Sequence, residues 1–381
     1  MTTAGLDEYI EGFVRELERR ESLTAPWLEH AVRGVPRHCF IEQYYGDDDS
    51  LISVDPGGAT DEQLKLIYSD SCLMIHKPPN HSAASQPSLV MLMLGCLDVQ
   101  PGQKVLEIGT GSGWNAGLLA YGVGDGRLVH SIDIQADLVE AAGRHLQAAG
   151  IEGLNLKAAD AGYGWSDAAP FDRIMATVGC PDIPHAWREQ LAEGGVMLVP
   201  LRTAGIGDPL IRLAKQNGRV VGGFSGWSWF MTLQGDYWTD AEDVLQLPLE
   251  PWLDSLLEEG PQTVSLREPM TLDCLVFLRL KGLKFQGLRS KDMRILHGGY
   301  LHHQSRTVFV PDKDLPQLRI YGAIELAETV ASYQAEWIRL GRPRITDYQV
   351  EVVDRNTSES GPRAWIDQRQ DVCLRLSLDQ G

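Results

Sequence analysis

Hydrophobic residues recur at two different periods along the chain, and the change of period divides it into segments. Near the N-terminus the apolar positions at helical spacing are Leu6, Ile10, Phe13, Val14 and Leu17. A second short helix is predicted at 26–33. Acidic residues, prolines and glycines at 46–61 predict a solvated loop. We therefore expect residues 1–80 to form an N-terminal helical cap.

Between residues 87 and 223, apolar runs of strand length alternate with stretches of helical length. The predicted strands are Lys104–Ile108, Leu128–Asp133, Leu154–Ala158, Phe171–Ala176 and Gly195–Pro200. The predicted helices are Pro87–Leu97, Trp114–Tyr121, Gln135–Gly150 and Pro184–Leu191. This alternation is typical of an α/β fold with a doubly wound, mostly parallel sheet. The pair Asn217-Gly218 predicts a hairpin between two further strands.

Beyond residue 244 the pattern changes to that of a second, α+β unit. The apolar residues that mark one helical face there are Leu326, Val330, Tyr333, Trp337 and Leu340. Alternate apolar residues between Cys274 and Leu280 predict a strand. Further strand-like runs are Thr307–Val310, Tyr348–Val353 and Val372–Leu376. We expect residues 81–244 to form the core and residues 245–381 an accessory domain.

Composition narrows the classes of function. The 381 residues include 34 Lys and Arg against 52 Asp and Glu, a formal net charge of −18. Such a charge repels phosphate backbones, so we expect no nucleic-acid partner. No apolar run approaches the roughly 20 residues that span a bilayer, so we expect no membrane partner. The six cysteines are scattered without a CxxC pair, which predicts reduced thiols in a cytoplasmic protein and no metal site.

The strongest chemical signal is the stretch KVLEIGTGSGWNAGLLA, which begins at position 104. An apolar strand leads into Glu107-x-Gly109-x-Gly111-x-Gly113, and a predicted helix follows. Glycines allow the backbone to pass close to a ligand and to turn sharply into the helix. A dinucleotide fingerprint would need a glycine where Trp114 stands, and a P-loop would need Gly-Lys-Ser/Thr, which does not follow.

Acidic residues follow the next two predicted strands. Asp133 ends the first of them, and an acid at this position can accept hydrogen bonds from both hydroxyls of a ribose. Asp160 follows the other strand, where it can meet an adenine amino group. For Asp133 the structural alternative is a residue that caps a loop or a helix.

The glycine stretch and these acids resemble the nucleotide-binding core of class I S-adenosylmethionine-dependent methyltransferases, and more narrowly the protein-L-isoaspartate O-methyltransferase family. The matching segments are VPRHCFI at 35–41, ASQPS at 84–88, VLEIGTGSGW at 105–114, PFDRI at 170–174, IP at 183–184 and QLAEGG at 190–195. They follow the family's order over roughly residues 30–200. The resemblance implies a Rossmann-like class I methyltransferase fold, S-adenosyl-L-methionine as the methyl donor and S-adenosyl-L-homocysteine as the product.

The resemblance also implies roles for individual residues. Ser85 would lie beside the transferred methyl group and orient the acceptor carboxylate; helix capping before Pro87 is its structural alternative. The residues that would bind the cofactor are Ser82, Ala83, Ala84, Glu107, Gly109, Thr110, Gly111, Ser112, Gly113, Asp133, Ile134, Asp160 and Ala161. Ala83 departs from the family's pattern because it stands where the family has a threonine, and Ala161 departs because it replaces a glycine.

Methylation of a carboxylate suits this set of residues, since a carboxylate is already ionised near pH 7 and needs no strong base. The chain continues more than a hundred residues past Gly235, whereas the family's repair enzymes are usually short. We therefore predict the branch that methylates an aspartate of a ribosomally made peptide (lasso peptide, lanthipeptide or graspetide), the ester then cyclising to an aspartimide. General isoaspartate repair is the first alternative, and a non-catalytic scaffold that keeps the cofactor fold is the second.

A basic stretch at 279–294 stands out in this acidic chain and would attract an acidic peptide. The residues of this hypothesis are Arg279, Lys281, Lys284 and Arg289, together with Trp229 from an aromatic cluster at 227–238 that would wall the substrate pocket. The alternatives are a solvated or charge-balancing face for the basic residues and ordinary core packing for the aromatic cluster.

Overall fold

The computed structural model describes residues 3–55, 57–77, 81–203, 206–236, 244–246, 255–256, 258–289, 299–302, 304–353, 361 and 363–379. The chain divides into two compact units. The first comprises Met1–Pro200, Arg212–Val220 and Phe230–Trp238. The second comprises Leu201–Ile211, Val221–Trp229 and Thr239–Gly381. The domain boundaries predicted at residues 80 and 244 stay predictions.

The helices of the first unit are α1 (Thr3–Arg19), α2 (Pro26–Gly34), α3 (Asp61–Ile67), α4 (Pro87–Leu97), α5 (Trp114–Val123), α6 (Ala136–Ala148) and α7 (His185–Gln190). Those of the second unit are α8 (Leu272–Leu280) and α9 (Glu325–Arg339). Within the described ranges, no helix has the length and apolar character needed to cross a membrane.

The strands that precede the second unit's own sheet are β1 (Gln43–Tyr45), β2 (Leu51–Ser53), β3 (Leu73–His76), β4 (Ser82–Ala84), β5 (Val105–Ile108), β6 (Val129–Asp133), β7 (Asn155–Ala158), β8 (Phe171–Ala176), β9 (Leu191–Pro200), β10 (Asp208–Gln216) and β11 (Arg219–Ser228). The remaining strands are β12 (Val244–Gln246), β13 (Gln262–Ser265), β14 (Gln286–Arg289), β15 (Tyr300–His302), β16 (Thr307–Pro311), β17 (Gln317–Tyr321), β18 (Tyr348–Val353), β19 (Ala364–Gln368) and β20 (Cys373–Leu378).

The core of the first unit is a sheet with the strand order β10-β9-β8-β5-β6-β7. β5 pairs in parallel with β6 on one side and with β8 on the other. All four residues of β5 are buried, as expected for a parallel strand that is covered on both faces. The chain therefore leaves β5 toward β6 and β7 and later returns on the other side as β8. This topological switch opens a crevice at the carboxyl end of β5.

The predicted α/β fold with a mostly parallel sheet is confirmed, and several elements lie where the hydrophobic pattern puts them. α4 has the predicted bounds. The predicted Asn-Gly hairpin joins β10 to β11, with φ of 52° at Asn217 and 74° at Gly218. Both central residues of a two-residue type I′ turn need positive φ, which explains the asparagine and the glycine.

The predicted solvated loop at 46–61 is only partly correct, because it contains β2, which pairs antiparallel with β1. The acidic residues form the tip of this hairpin. Asp48 Oδ1 accepts hydrogen bonds from the backbone N–H (3.1 Å) and the hydroxyl (2.6 Å) of Ser50. Polar residues at a hairpin tip give the same sequence signal as a longer loop.

The strand predicted between Cys274 and Leu280 is wrong, because these residues belong to α8. The apparent alternation overlooked Leu275 and Phe277, which are apolar and buried as well. A short continuous apolar run has no period that separates a buried strand from a buried helix. Thr271 is a local signal for the helix, since its side chain accepts a hydrogen bond from Cys274 N–H at 3.2 Å and caps the helix.

The second unit contains a sheet of order β12-β14-β15-β16-β17-β13 and an antiparallel arrangement β19-β20-β18. The predicted helix of this unit is confirmed as α9. Its apolar face buries Leu326, Val330 and Trp337. The Trp337 indole N–H donates to Pro343 O at 3.0 Å, which anchors the chain just after the helix.

The cap of α8 gives a test of its helical state. We expect Thr271→Ala to lower the free energy of unfolding by about 1 kcal/mol, because it removes an N-cap acceptor. The matched control is Thr329→Ala inside α9, which should leave stability unchanged or raise it slightly, since alanine is the better helix former. Denaturant unfolding of both variants checks this. Equal effects of the two substitutions would contradict the cap.

Candidate active site

The loop that follows β5 depends on glycine at three alternate positions. Gly109, Gly111 and Gly113 have φ of 98°, 50° and 87°, a region that other residues adopt only at a cost. A Cβ on Gly109 would lie 2.7 Å from Thr177 Oγ1, and one on Gly113 would lie 2.9 Å from Ala142 Cβ. The loop is therefore packed closely against β8's carboxyl end and against α6.

Gly111 borders β4 instead. A Cβ placed on it would lie 3.7 Å from Ser82 Oγ and 3.9 Å from Ala83 O. The Ser82 side chain is buried, and in the described part of the chain no residue hydrogen-bonds to its hydroxyl. The structure thus brings together two segments that the sequence analysis assigned to one cofactor site.

Asp133 stands at the carboxyl end of β6 and clasps the glycine loop. Its Oδ2 accepts a hydrogen bond from Gly111 N–H at 3.0 Å, and its Oδ1 accepts one from Gln135 N–H at 3.1 Å. Burial raises the pKa of the Asp133 carboxyl above its usual range. Asp133 therefore does cap main-chain N–H groups, as its structural alternative predicts. It is compatible with ribose binding, because each carboxylate oxygen has a second lone pair.

The Glu107 side chain is fully buried in the interior of the protein. Its Oε1 accepts from Asn115 Nδ2 at 2.7 Å and its Oε2 from Ser131 Oγ at 2.5 Å, while Thr110 Oγ1 lies 2.7 Å from Ser131 Oγ. Burial raises the pKa of Glu107 to about 7. These contacts tie β5, β6, α5 and the glycine loop together, so Glu107 supports the loop. Its direct contact with a cofactor stays a prediction.

Asp160 lies after β7 and holds two pieces of main chain. Its Oδ1 accepts from Gly162 N–H at 2.8 Å and its Oδ2 from Asp236 N–H at 2.7 Å. Gly235 has a φ of 134°, and a Cβ on it would overlap the Asp160 carboxylate. Asp160 therefore orders the chain at 235–236 beside the loop predicted to contact adenine.

The helix-capping alternative for Ser85 is wrong. α4 begins at Pro87, and Gln86 occupies the cap position without a side-chain cap hydrogen bond. Asp70 takes the capping role, since its carboxylate accepts hydrogen bonds from Ser88 N–H (2.7 Å), Ser88 Oγ (2.8 Å) and Gln86 Nε2 (2.8 Å). Ser85 is half-buried, and in the described ranges its hydroxyl makes no hydrogen bond.

Two further residues of this region escaped the sequence analysis. Thr177, just after β8, has Oγ1 within 3.0 Å of Ile108 O and 2.7 Å of Gly109 O, so its hydroxyl fixes the end of β5. Arg37 lies in the matched segment VPRHCFI, and its guanidinium contacts the backbone at Ser85. The motif was the only available signal for Arg37, because its partners are distant in sequence.

The structure describes the side chains of four of the five proposed substrate residues. Arg279 Nη1 donates to Phe285 O at 2.8 Å, and Lys281 pairs with Glu336 of α9 at 2.9 Å. The remaining members are Lys284, which is exposed, Trp229, which is 55% exposed, and Arg289, whose side chain lies outside the described residues. Lys281 therefore has the charge-balancing role that was the alternative, with Glu336 as its partner. The substrate role of all five residues stays a prediction.

The buried Glu107 makes stability depend on pH. A raised carboxyl pKa means that its favourable contribution is complete below the ordinary value of 4.5 and is lost as pH rises through about 7. We expect the free energy of unfolding of wild type to fall relative to Glu107→Gln by up to about 3 kcal/mol between pH 5 and 8. Glu152→Gln, at an exposed position, is the control for the Glu-to-Gln substitution itself. Parallel pH profiles for wild type and Glu107→Gln would contradict the assignment.

Comparison with known proteins identifies the family. Residues 13–236 match the family described as Protein-L-isoaspartate(D-aspartate) O-methyltransferase (PCMT). The protein-L-isoaspartate O-methyltransferase of Dictyoglomus turgidum is 31% identical over 226 residues, which are 59% of this chain and 91% of that protein. The protein of the same name from Pyrococcus horikoshii is 34% identical over 190 residues, 50% of this chain and 76% of its own.

A solved structure of a protein-L-isoaspartate O-methyltransferase aligns over 90% of this chain and 96% of its own, with a TM-score of 0.56 and 24% identity. This likeness establishes the class I methyltransferase fold. The matched residues 13–236 include the glycine loop, β4, Asp133 and Asp160, and they make up more than half of the chain. The chain therefore belongs to the PCMT family of S-adenosylmethionine-dependent protein carboxyl O-methyltransferases.

Proposed function

We propose that this protein methylates the free carboxylate of isoaspartyl residues in proteins or peptides. The observation that carries the proposal is the convergence of family segments at one place: the Ser82–Ser85 stretch lies against the glycine loop, and Asp133 clasps the same loop. The non-catalytic scaffold has no support, since the family is one of enzymes.

The residues around the glycine loop suit S-adenosylmethionine. Asp133 offers a carboxylate for the ribose. Ile134 is 40% exposed and Tyr163 is 59% exposed, and such apolar surface at the predicted adenine end is suited to a flat base. When bound, the cofactor supplies an electrophilic methyl group, whose bond to sulfur breaks as a bond to the carboxylate oxygen forms, leaving a methyl ester and S-adenosylhomocysteine.

Ser85 is the residue proposed to orient the acceptor. Its hydroxyl has no hydrogen-bond partner among the described residues, so its proton is available to one oxygen of a substrate carboxylate while the other oxygen attacks. A carboxylate is ionised at neutral pH and needs no base. The contribution of the protein is therefore alignment of the reacting atoms and exclusion of water.

The length of the chain does not separate repair from peptide tailoring. The solved protein-L-isoaspartate O-methyltransferase with the same fold aligns over 90% of this chain, so a long C-terminal segment is also present in a protein of that name. The named relatives support the isoaspartyl substrate, which is the first alternative of the sequence analysis rather than its main hypothesis.

One observation favours the second candidate, methylation of a normal aspartate in a ribosomally made peptide with closure to an aspartimide. Ser82 and Ala84 of β4 are buried, whereas Ala83 between them is half-buried, as side chains on opposite faces of a strand are. Ser82 therefore does not replace the hydroxyl that the family's threonine would present at position 83. The acceptor side of the site lacks that group, which suits a different acceptor peptide.

Two matched peptides separate these candidates. We expect kcat/KM for an isoaspartyl peptide to exceed that for its aspartyl twin by at least about 10-fold, because the site is proposed to hydrogen-bond a carboxylate whose position differs between the two. Methyl-ester formation, methanol release and the mass of the product are measured. Preference for the aspartyl peptide, with an aspartimide as the product, would contradict repair and support tailoring.

Cofactor binding tests the role of Asp133. We expect Asp133→Ala to weaken S-adenosylmethionine binding about 10- to 100-fold, because it removes a charged hydrogen-bond acceptor and the clasp on Gly111. The matched control is Asp137→Ala, an exposed aspartate in the first turn of α6, with affinity unchanged. Calorimetric titration checks both variants, and equal affinities of Asp133→Ala and wild type would rule out the ribose role.

A further inference from the structure

Arg37 is a buried cation whose hydrogen bonds to the described residues all go to main-chain carbonyls. It lies in a short 3-10 helix, Arg37–Phe40, and its side chain is 1% exposed. Nη1 donates to Ile67 O (2.7 Å) and Ser69 O (3.1 Å), and Nη2 donates to Ser71 O (3.0 Å), Ala84 O (3.3 Å) and Ser85 O (3.1 Å). One planar group therefore joins the end of α3 and the loop after it, residues 67–71, to the end of β4.

Two of these carbonyls belong to the segment that contains Ser85, and the chain is also fixed on the far side of Ser85. Asp70, from the same loop that Arg37 contacts, accepts hydrogen bonds from Gln86 and Ser88. Arg20, which follows the last residue of α1, pairs with Asp70 at 3.1 Å. The main chain of Ser85 thus lies between two anchors, while its hydroxyl makes no hydrogen bond with any described residue.

The arrangement needs an arginine in particular. The guanidinium is a rigid fork with donors on both terminal nitrogens, so it holds two chain segments at a fixed separation. The guanidinium carbon lies over the ring of Trp114, the first residue of α5, at 5.4 Å from the ring centroid. A lysine keeps the charge, but its single flexible ammonium cannot serve five carbonyls in this geometry.

We propose that Arg37 is a positioning residue for methyl transfer, which sets the place of Ser85 by holding its carbonyl and that of Ala84. The inference rests on the proposed function of Ser85. Arg37 itself is buried behind the main chain, so it acts through the serine. It therefore affects the orientation of the acceptor carboxylate more than cofactor binding.

A second buried arginine of the same unit provides the matched control. Arg173 is 7% exposed, and it also donates to main-chain carbonyls, at Leu97, Asp98 and Asp172. None of these carbonyls belongs to the Ser82–Ser85 segment. Arg37→Lys and Arg173→Lys therefore both remove guanidinium hydrogen bonds to main-chain carbonyls, in two different places.

The experiment uses the full chain and an isoaspartyl peptide. We expect Arg37→Lys to lower kcat about 10-fold or more, because a small misplacement of a reacting group is enough for such a loss. Its affinity for S-adenosylmethionine should stay within about 2-fold of wild type, and Arg173→Lys should keep the wild-type kcat even though its melting temperature falls. An equal loss of kcat in both variants, or an unchanged kcat in Arg37→Lys, would overturn the proposal.

A double-mutant cycle shows whether Arg37 acts through the serine. We expect Ser85→Ala to bind the cofactor and to lower kcat, and the Arg37→Lys/Ser85→Ala double variant to lose little more than Ser85→Ala alone. If the losses of kcat in the two single variants multiply in the double variant, Arg37 and Ser85 act independently, which would overturn the proposal. If Arg37→Lys does not fold, Arg37→Gln takes its place under the same criteria. Absence of turnover by wild type on the peptide would count against the proposed substrate, and a wild-type kcat in Ser85→Ala against the serine.

Discussion

Parallel pairing of β5 with strands on both of its sides is the constraint on which the site depends. β6 and β8 pair in parallel with β5, one on each side. The carboxyl ends of all three strands therefore lie at the same edge of the sheet. The glycine loop follows β5, Asp133 is the last residue of β6, and Thr177 follows β8. Polar groups that the chain separates by more than sixty residues therefore share one crevice, which is where open α/β sheets bind ligands.

The glycine loop keeps its shape because the polar groups around it have hydrogen-bond partners. Asp133 accepts a hydrogen bond from Gly111 N–H, Thr177 contacts the carbonyls at the end of β5, and Glu107 joins the strand to α5 and β6 through Asn115 and Ser131. A buried carboxyl with a pKa of about 7 is an unusual support. It is acceptable here because both oxygens accept hydrogen bonds, and because the proton can be retained near neutral pH.

The segment with Ser85 is built on a different principle. β4 is short and pairs only with β3 in the described part of the chain, so the sheet of the core does not hold it. Arg37 and Asp70 hold it from the cap region instead, one through carbonyls and the other through the start of α4. The segment that contains Ser85 thus depends on residues that precede the core, whereas the glycine loop depends on the core sheet.

The sequence by itself determined the elements whose signals are local. The bounds of α4 and β18, the helix α9, the Asn-Gly hairpin and the glycine loop all follow from side-chain period or from backbone preferences within a few residues. Local patterns failed where they were ambiguous, at α8 and at the β1–β2 hairpin. The segments that resemble the family indicated Ser85 and the glycine loop from the sequence.

Only the tertiary structure decided how these pieces meet. Arg37 reaches Ser85 across 48 positions of sequence, and Asp160 reaches Asp236 across 76. Hydrogen bonds of this kind join a side chain to main-chain groups, which every residue possesses, so the identity of the distant partner leaves no mark in the sequence. That is why the sequence motifs were enough to indicate a methyltransferase, while the hydrogen bonds that support Ser85 could be found only from the fold.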